Sequence, residues 1–125
     1  MNYASILVVD DDEMIVHFFK LILEDIGYEV KTAFSGSEAI EKASNQNMDL
    51  AILDYKLTDT TGDILATKLK EINNNTNIVF VTGYSEARDK LLKNKLSKYV
   101  FVKPIKDEEL IEMVELALHD PELMK

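Results

Sequence analysis

The sequence contains no cysteine. Disulfides, zinc–thiolate centres and thiol catalysis are therefore excluded. Positive charge is scarce: 14 Lys and Arg stand against 23 Asp and Glu, for a formal net charge of −9. Nucleic-acid binding needs a basic footprint, which this balance disfavours. An acidic chain suits a partner with basic surface, or a bound cation. Long apolar runs are also missing. Stretches such as Ile6-Leu7-Val8-Val9 and Ile78-Val79-Phe80-Val81 fall far below the ~20 residues that span a bilayer. The opening Met-Asn-Tyr-Ala-Ser lacks the basic region and apolar stretch of a signal peptide. No repeat, linker or low-complexity segment interrupts the chain. A cytoplasmic location, with no membrane contact, is the simplest expectation, and 125 residues suit a single core.

What is present is a regular alternation. Ile6 to Val9 reads as a buried strand, followed by a helix carrying Ile15, Phe18, Phe19, Ile22 and Ile26 and closed by Gly27. Tyr28 to Phe34 forms a second strand. Ser35 and Glu38 make a capping-box pattern that opens a helix running to about Ser44. Leu50 to Leu53 is the third strand, and Ile64, Leu65, Leu69 and Ile72 mark the third helix. Ile78 to Val81 follows as the fourth strand, then a helix capped by Ser85 and carrying Leu91 and Leu92. Tyr99 to Val102 is the fifth strand. Asp107 caps a last helix that buries Leu110, Ile111, Val114 and Leu118 and closes at Asp120-Pro121. Five strands, each followed by a helix, specify an α/β fold with a parallel sheet covered on both faces. The expected domain is 1–120, with 121–125 as a tail.

Open parallel sheets bind ligands at the carboxyl ends of their strands. Asp10, Asp11, Asp12 and Glu13 follow the first strand, Asp54 the third, Thr82-Gly83 end the fourth and Lys103-Pro104 the fifth. If the first and third strands are neighbours, several carboxylates meet on one rim, facing a hydroxyl and an ammonium. Carboxylates so close repel unless a cation joins them. With no Cys or His in the set, a hard divalent ion suits it, and Mg²⁺ pairs naturally with phosphate oxygens. Asp54 would then attack phosphorus and form an acyl phosphate. Lys103 would neutralise developing charge, Thr82 would donate a hydrogen bond, and Gly83 would leave room for the group to enter. Each residue has a plainer reading, as turn, cap, strand residue or surface ammonium. Four separate strand ends agreeing in one order is what favours the chemical one.

The motifs Ile-Leu-Val-Val-Asp10-Asp11-Asp12-Glu13, Asp49-Leu-Ala-Ile-Leu-Asp54, Val-Thr82-Gly83 and Val-Lys103-Pro104 resemble those of the receiver domain of bacterial two-component response regulators. The resemblance runs from Ile6 to about Leu118. It implies a flavodoxin-like doubly wound sheet of strand order 2-1-3-4-5 with five helices. It implies Asp54 as phosphoacceptor, served by Thr82 and Lys103. Mg²⁺ would be held by Asp11, Asp54 and the Lys56 backbone carbonyl, with Asp10 acting through water, and the Lys103-Pro104 peptide would be cis. The donor would be a phosphohistidine on a sensor histidine kinase or phosphotransfer protein. The domain would catalyse its own phosphorylation and a slow dephosphorylation.

Three departures bear on that resemblance. Val100 stands where the family usually has a switch Tyr or Phe, and Tyr99 and Phe101 should face the other way. Leu57-Thr58 replaces a common Leu-Pro. No output domain follows within the sequence, which fits a stand-alone receiver or a fragment. Lys56 and Tyr84, two residues beyond Asp54 and Thr82, could screen an acyl phosphate from water. Arg88, Lys90, Lys93, Lys95 and Lys98 form a basic patch that is either a solvated face or a docking site for a dimer mate or output protein. His17 and His119 read as surface histidines. A receiver-like scaffold that works without phosphorylation, and a Mg²⁺-dependent phosphohydrolase, are the alternatives. Lys56 argues against the hydrolase, since such enzymes often place a second acid there.

Overall fold

The computed structural model describes residues 4–93 and 99–119. Within them the order is β1 (Ser5–Val9), α1 (Glu13–Asp25), β2 (Glu29–Ala33), α2 (Gly36–Asn45), β3 (Leu50–Leu53), α3 (Gly62–Ile72), β4 (Asn77–Thr82), α4 (Ala87–Leu92), β5 (Val100–Val102) and α5 (Asp107–His119). All strand pairs are parallel and the sheet order is β2-β1-β3-β4-β5. This is the flavodoxin-like arrangement expected above. No helix is long and apolar enough to cross a membrane among the described residues.

Strand side chains alternate between the two faces of the sheet, and over its central strands both faces are buried. Leu7, Val9, Ala51, Leu53, Ile78, Phe80 and Val100 face one way, against Ala39 of α2, Leu65, Ala66 and Leu69 of α3, and Leu91 of α4. Ile6, Val8, Leu50, Ile52, Val79 and Val81 face the other way, against Val16, Phe19 and Leu23 of α1 and Leu110, Met113, Val114 and Ala117 of α5. Burial on both faces is why β1, β3 and β4 read as apolar runs, whereas edge strand β2 alternates, with Glu29 and Lys31 exposed. Val100 therefore packs on the α4 side, while Tyr99 and Phe101 stack on each other on the α1/α5 side, 6.3 Å between ring centroids.

Several local expectations shift by a residue or two. In α1 the buried set is Val16, Phe19 and Leu23, and Phe18 and Ile26 are exposed. In α3 it is Gly62, Leu65, Ala66 and Leu69, with Ile64 and Ile72 exposed. In α5 Met113 and Ala117 are buried, while Ile111 and Leu118 are only half-buried. Each helix turns one stripe of i, i+3, i+4, i+7 spacing to the sheet, and small residues fill positions where the sheet lies close. Ser35 caps α2 as expected, its Oγ accepting from Glu38 N at 3.2 Å, while Glu38 reaches back to Phe34 N at 2.7 Å. Ser85 does not cap α4: Glu86 precedes that helix and makes no side-chain capping bond. Asp107 is already helical, because Leu110 N donates to Lys106 O. The cap thus falls one residue earlier. The close at Asp120-Pro121, the boundary at 120, Lys95 and Lys98 lie outside the described residues. Arg88, Lys90 and Lys93 are exposed on or beside α4, as are His17 and His119 on their helices.

Candidate functional site

The chain crosses from β2, on one side of β1, to β3 on the other. That reversal opens a crevice at the carboxyl ends of β1 and β3, and Asp10 and Asp54 are the residues just past those ends. Both backbones are pinned: Asp10 N donates to Ala33 O at 3.2 Å, and Asp54 N to Val9 O at 3.0 Å. Asp10 and Asp54 are buried and Asp11 is exposed. One carboxylate oxygen from each lies within 4.8 Å of the others.

The acidic run divides its labour. Asp12 is the N-cap of α1, accepting from Met14 N at 3.0 Å and Ile15 N at 3.4 Å. Asp10 Oδ1 accepts from Asp12 N at 2.9 Å. Asp54 Oδ1 accepts from Tyr55 N at 2.8 Å. Lys103 reaches in from the end of β5, 2.6 Å from Asp10 Oδ2 and 3.4 Å from Asp54 Oδ2. Its own N–H donates to Thr82 O at 2.8 Å, and the Lys103–Pro104 peptide is cis.

Burial and the charge of Asp10 push the Asp54 carboxyl up to about 6, against the pull of Lys103. Burial also raises Asp10 above the ordinary carboxylate range. For Lys103, burial alone would lower the pKa, but the hydrogen bond to Asp10 and the charges of both carboxylates outweigh it and raise it. A single ammonium in contact with the two buried carboxylates leaves them short of positive charge. A set of hard oxygen donors in that state fits Mg²⁺.

The pocket wall also includes Lys56, Thr58, Gly83 and Tyr84. Lys56 Nζ sits over the Tyr84 ring, 5.5 Å from its centroid, so these two side chains meet across the rim. A Cβ on Gly83 would meet nothing within 4 Å, in keeping with open space there. Thr82 does not line the wall. It is fully buried, and its Oγ1 accepts from Tyr84 N at 3.2 Å.

The loop after Asp54 closes as a small antiparallel bridge between Lys56 and Thr61. Its bonds run from Leu57 N to Thr60 O and from Gly62 N to Tyr55 O. In such a wide pair the bonds belong to the neighbours, so neither the N–H nor the C=O of Lys56 is committed to the bridge. Two residues with no motif to mark them also belong here: Thr58, on the wall, and Asp59, beside it in the loop. No local pattern marks Asp59, because its partners lie more than 20 residues away.

Comparison with known proteins agrees with this geometry. The family model described as "Response regulator receiver domain" matches residues 6–115. The alkaline phosphatase synthesis transcriptional regulatory protein PhoP of Bacillus subtilis is 34% identical over 120 residues, covering 95% of this chain and 50% of that protein. The response regulator ArlR of Staphylococcus saprophyticus is 31% identical over 117 residues, covering 92% and 52%. The chain thus spans about half the length of these curated relatives. Among solved structures, a CheY-like response regulator receiver domain protein from Methanospirillum hungatei has a TM-score of 0.87 at 32% identity, covering 94% of each chain. The response regulator TrrA of Thermotoga maritima, in complex with Mg(2+)-BeF, has a TM-score of 0.83 at 34% identity, covering 92% of this chain and 99% of that one. With its sheet order, its acidic crevice and its lysine in agreement, the chain belongs to the response regulator receiver domains of two-component signalling.

Proposed function

We propose that Asp54 is the residue phosphorylated in this receiver. The observation that carries the reading is the buried Asp54 carboxylate, held by Tyr55 N–H on one oxygen and faced by Lys103 on the other. Asp11, Asp54 and the Lys56 carbonyl would hold Mg²⁺, with Asp10 acting through water. The Mg(2+)-BeF complex of the related TrrA supports the ion. When bound, the ion supplies charge neutralisation between the carboxylates and the incoming phosphoryl oxygens.

The donor is a phosphohistidine on a sensor histidine kinase or phosphotransfer protein. A P–O bond forms to Asp54 as the P–N bond breaks, and the imidazole nitrogen keeps the electron pair and takes a proton. Lys103 then pairs with the phosphoryl oxygens. Thr82, the last residue of β4, would turn its O–H toward them and donate a hydrogen bond. The domain itself catalyses this transfer and, more slowly, hydrolysis, and it works in the cytoplasm. The acyl phosphate carries roughly −1.5 to −2 charge where an ionised carboxylate carried −1, and the added charge and acceptor oxygens bias a two-state loop.

The test is intact mass after incubation with acetyl phosphate and Mg²⁺. Wild type gains one phosphoryl group and Asp54→Asn gains none; equal gain in both would assign another acceptor. The same variant has a second signature. A carboxyl raised to about 6 keeps its full contribution to stability below its unfolded value near 4, and loses it as pH rises through the folded value. Without metal, Asp54→Asn should therefore raise the melting temperature at about pH 7.5 and leave it nearly unchanged at about pH 4.

Lys56 and Tyr84 bear on the lifetime of the phosphorylated state. Both side chains line the pocket that holds Asp54, with Lys56 Nζ 5.5 Å from the Tyr84 ring centroid, which supports a role in screening the acyl phosphate from water. Lys56→Ala and Tyr84→Ala are expected to speed dephosphorylation several-fold, followed by the decay of phosphoprotein mass. Unchanged decay in both variants would show that water arrives by another route.

A further inference from the structure

Asp59 sits at the tip of the loop between β3 and α3, outside the acidic cluster. Its Oδ1 accepts from Gly36 N at 2.8 Å and its Oδ2 from Ser37 N at 2.9 Å. These are the first two N–H groups of α2, which lack partners within the helix. Ser35 answers only the third, Glu38 N. One carboxylate thus completes the first turn of a helix 22 and 23 residues earlier in the chain. The two N–H donors hold its pKa below the usual carboxylate range even though it is exposed. Gly36 permits the approach: a Cβ there would lie 2.5 Å from Thr60 Cγ2 and 3.2 Å from Asp59 Oδ1.

The loop's own bonds, from Leu57 to Thr60 and from Gly62 to Tyr55, shape it locally. They do not tie its tip to the rest of the molecule. Nor is a proline present to stiffen it, since Thr58 stands beside Asp59 with φ free to vary. Leu57 seats the near side of the loop in the core, and Asp59 supplies a polar long-range tie for the tip, three residues from Lys56.

We propose that Asp59 is a positioning residue, whose clamp onto α2 holds the phosphoacceptor loop, and with it the Lys56 carbonyl, where Mg²⁺ binding requires it. The inference rests on reading that carbonyl as a metal ligand. Charge-assisted bonds of this kind are strong enough to set a loop's attitude; losing a group bonded directly to a metal ligand costs roughly 10- to 100-fold in affinity, and a tie three residues from the ligand belongs at the low end of that range.

The experiment is calorimetric titration with Mg²⁺ alone, on wild type, Asp59→Ala, Asp59→Asn, Asp59→Ala with Thr58→Pro, and Glu38→Ala. Hydrogen exchange on the metal-free proteins accompanies it. Asp59→Ala should weaken Mg²⁺ about tenfold and speed exchange across residues 56–60. Asp59→Asn should lose less, because its amide oxygen still accepts one N–H. Adding Thr58→Pro should recover most of the affinity by stiffening the loop without the clamp. Glu38→Ala removes α2's bond to Phe34 N and leaves the loop alone, so its Mg²⁺ affinity should match wild type.

If Asp59→Ala does not fold, Asp59→Asn carries the comparison. Wild-type affinity in the Asp59 variants would overturn the proposal. So would an equal loss in Glu38→Ala, which would trace the effect to α2 stability rather than to the loop. Failure of wild type to bind Mg²⁺ would instead overturn the metal-site reading, and the inference with it.

Discussion

Replacing Lys103 with methionine is expected to slow phosphoryl uptake from acetyl phosphate about 100-fold. It should also cost about 3 kcal/mol of stability at about pH 7.5 in metal-free buffer. The two effects share a cause. Lys103 Nζ is 2.6 Å from Asp10 and 3.4 Å from Asp54, and both carboxylates are buried. Methionine keeps much of the apolar stem but leaves two buried acids facing each other with no cation between them. Their pKa values, already raised, rise further.

The sign of the pH dependence follows from that direction. A carboxyl whose folded pKa exceeds its unfolded one is destabilising when ionised. Its contribution is intact below the unfolded value and is lost as pH rises through the folded value. The deficit of Lys103→Met should therefore be small at about pH 4 and should grow as pH rises through the raised folded values. Mg²⁺ at neutral pH should restore part of it, because an ion that binds only the folded state stabilises that state. Thermal melts across pH, with and without Mg²⁺, measure all of this. A deficit independent of pH would show that Lys103 acts through packing instead.

The second large effect is expected at Gly62, a residue with no functional group. An alanine Cβ there would lie 2.4 Å from the Asp54 carbonyl oxygen and 3.1 Å from the Tyr55 Cα. Both are backbone atoms, and the Gly62 N–H already donates to Tyr55 O at 2.6 Å. No rotamer change can relieve the clash, so either α3 or the segment that carries Asp54 and Tyr55 must move. Gly62→Ala should cost about 2–3 kcal/mol in a urea unfolding curve and should slow phosphoryl uptake as well, because the atoms displaced belong to Asp54 itself. Gly83→Ala is the contrast. With nothing within 4 Å of its Cβ, that substitution should change stability by no more than about 0.5 kcal/mol. Equal costs at the two glycines would refute the steric account.

Much of the chemistry was legible because it lies at strand ends. Leu50–Leu53 reads as a strand from its apolar run alone, so Asp54 is placed as the residue just past it. Thr82 and Lys103 are placed in the same way, at the ends of β4 and β5. The facing of Val100 away from Tyr99 and Phe101 follows from the two-residue period of a strand, and the two cores bear it out. Helix faces were harder to read. Phe18 looks like core by type, yet Val16 takes the buried position and Phe18 stays exposed. A stripe with apolar residues on several sides does not say which of them the sheet selects.

The order of elements, the placement of acids, hydroxyl and lysine at four strand ends, and the absence of competing chemistry were determined by the sequence itself. Periodicity and residue type are local properties, and they suffice for those. The tertiary structure decided the rest. It separated Asp12, spent on capping α1, from Asp10 and Asp54, which share Lys103. It put the Thr82 hydroxyl behind the pocket wall, and it joined Asp59 to Gly36 and Ser37. The physical reason is common to all three. Which oxygen meets which N–H depends on distances between segments far apart in the chain, and those distances exist only once the sheet has brought the segments together.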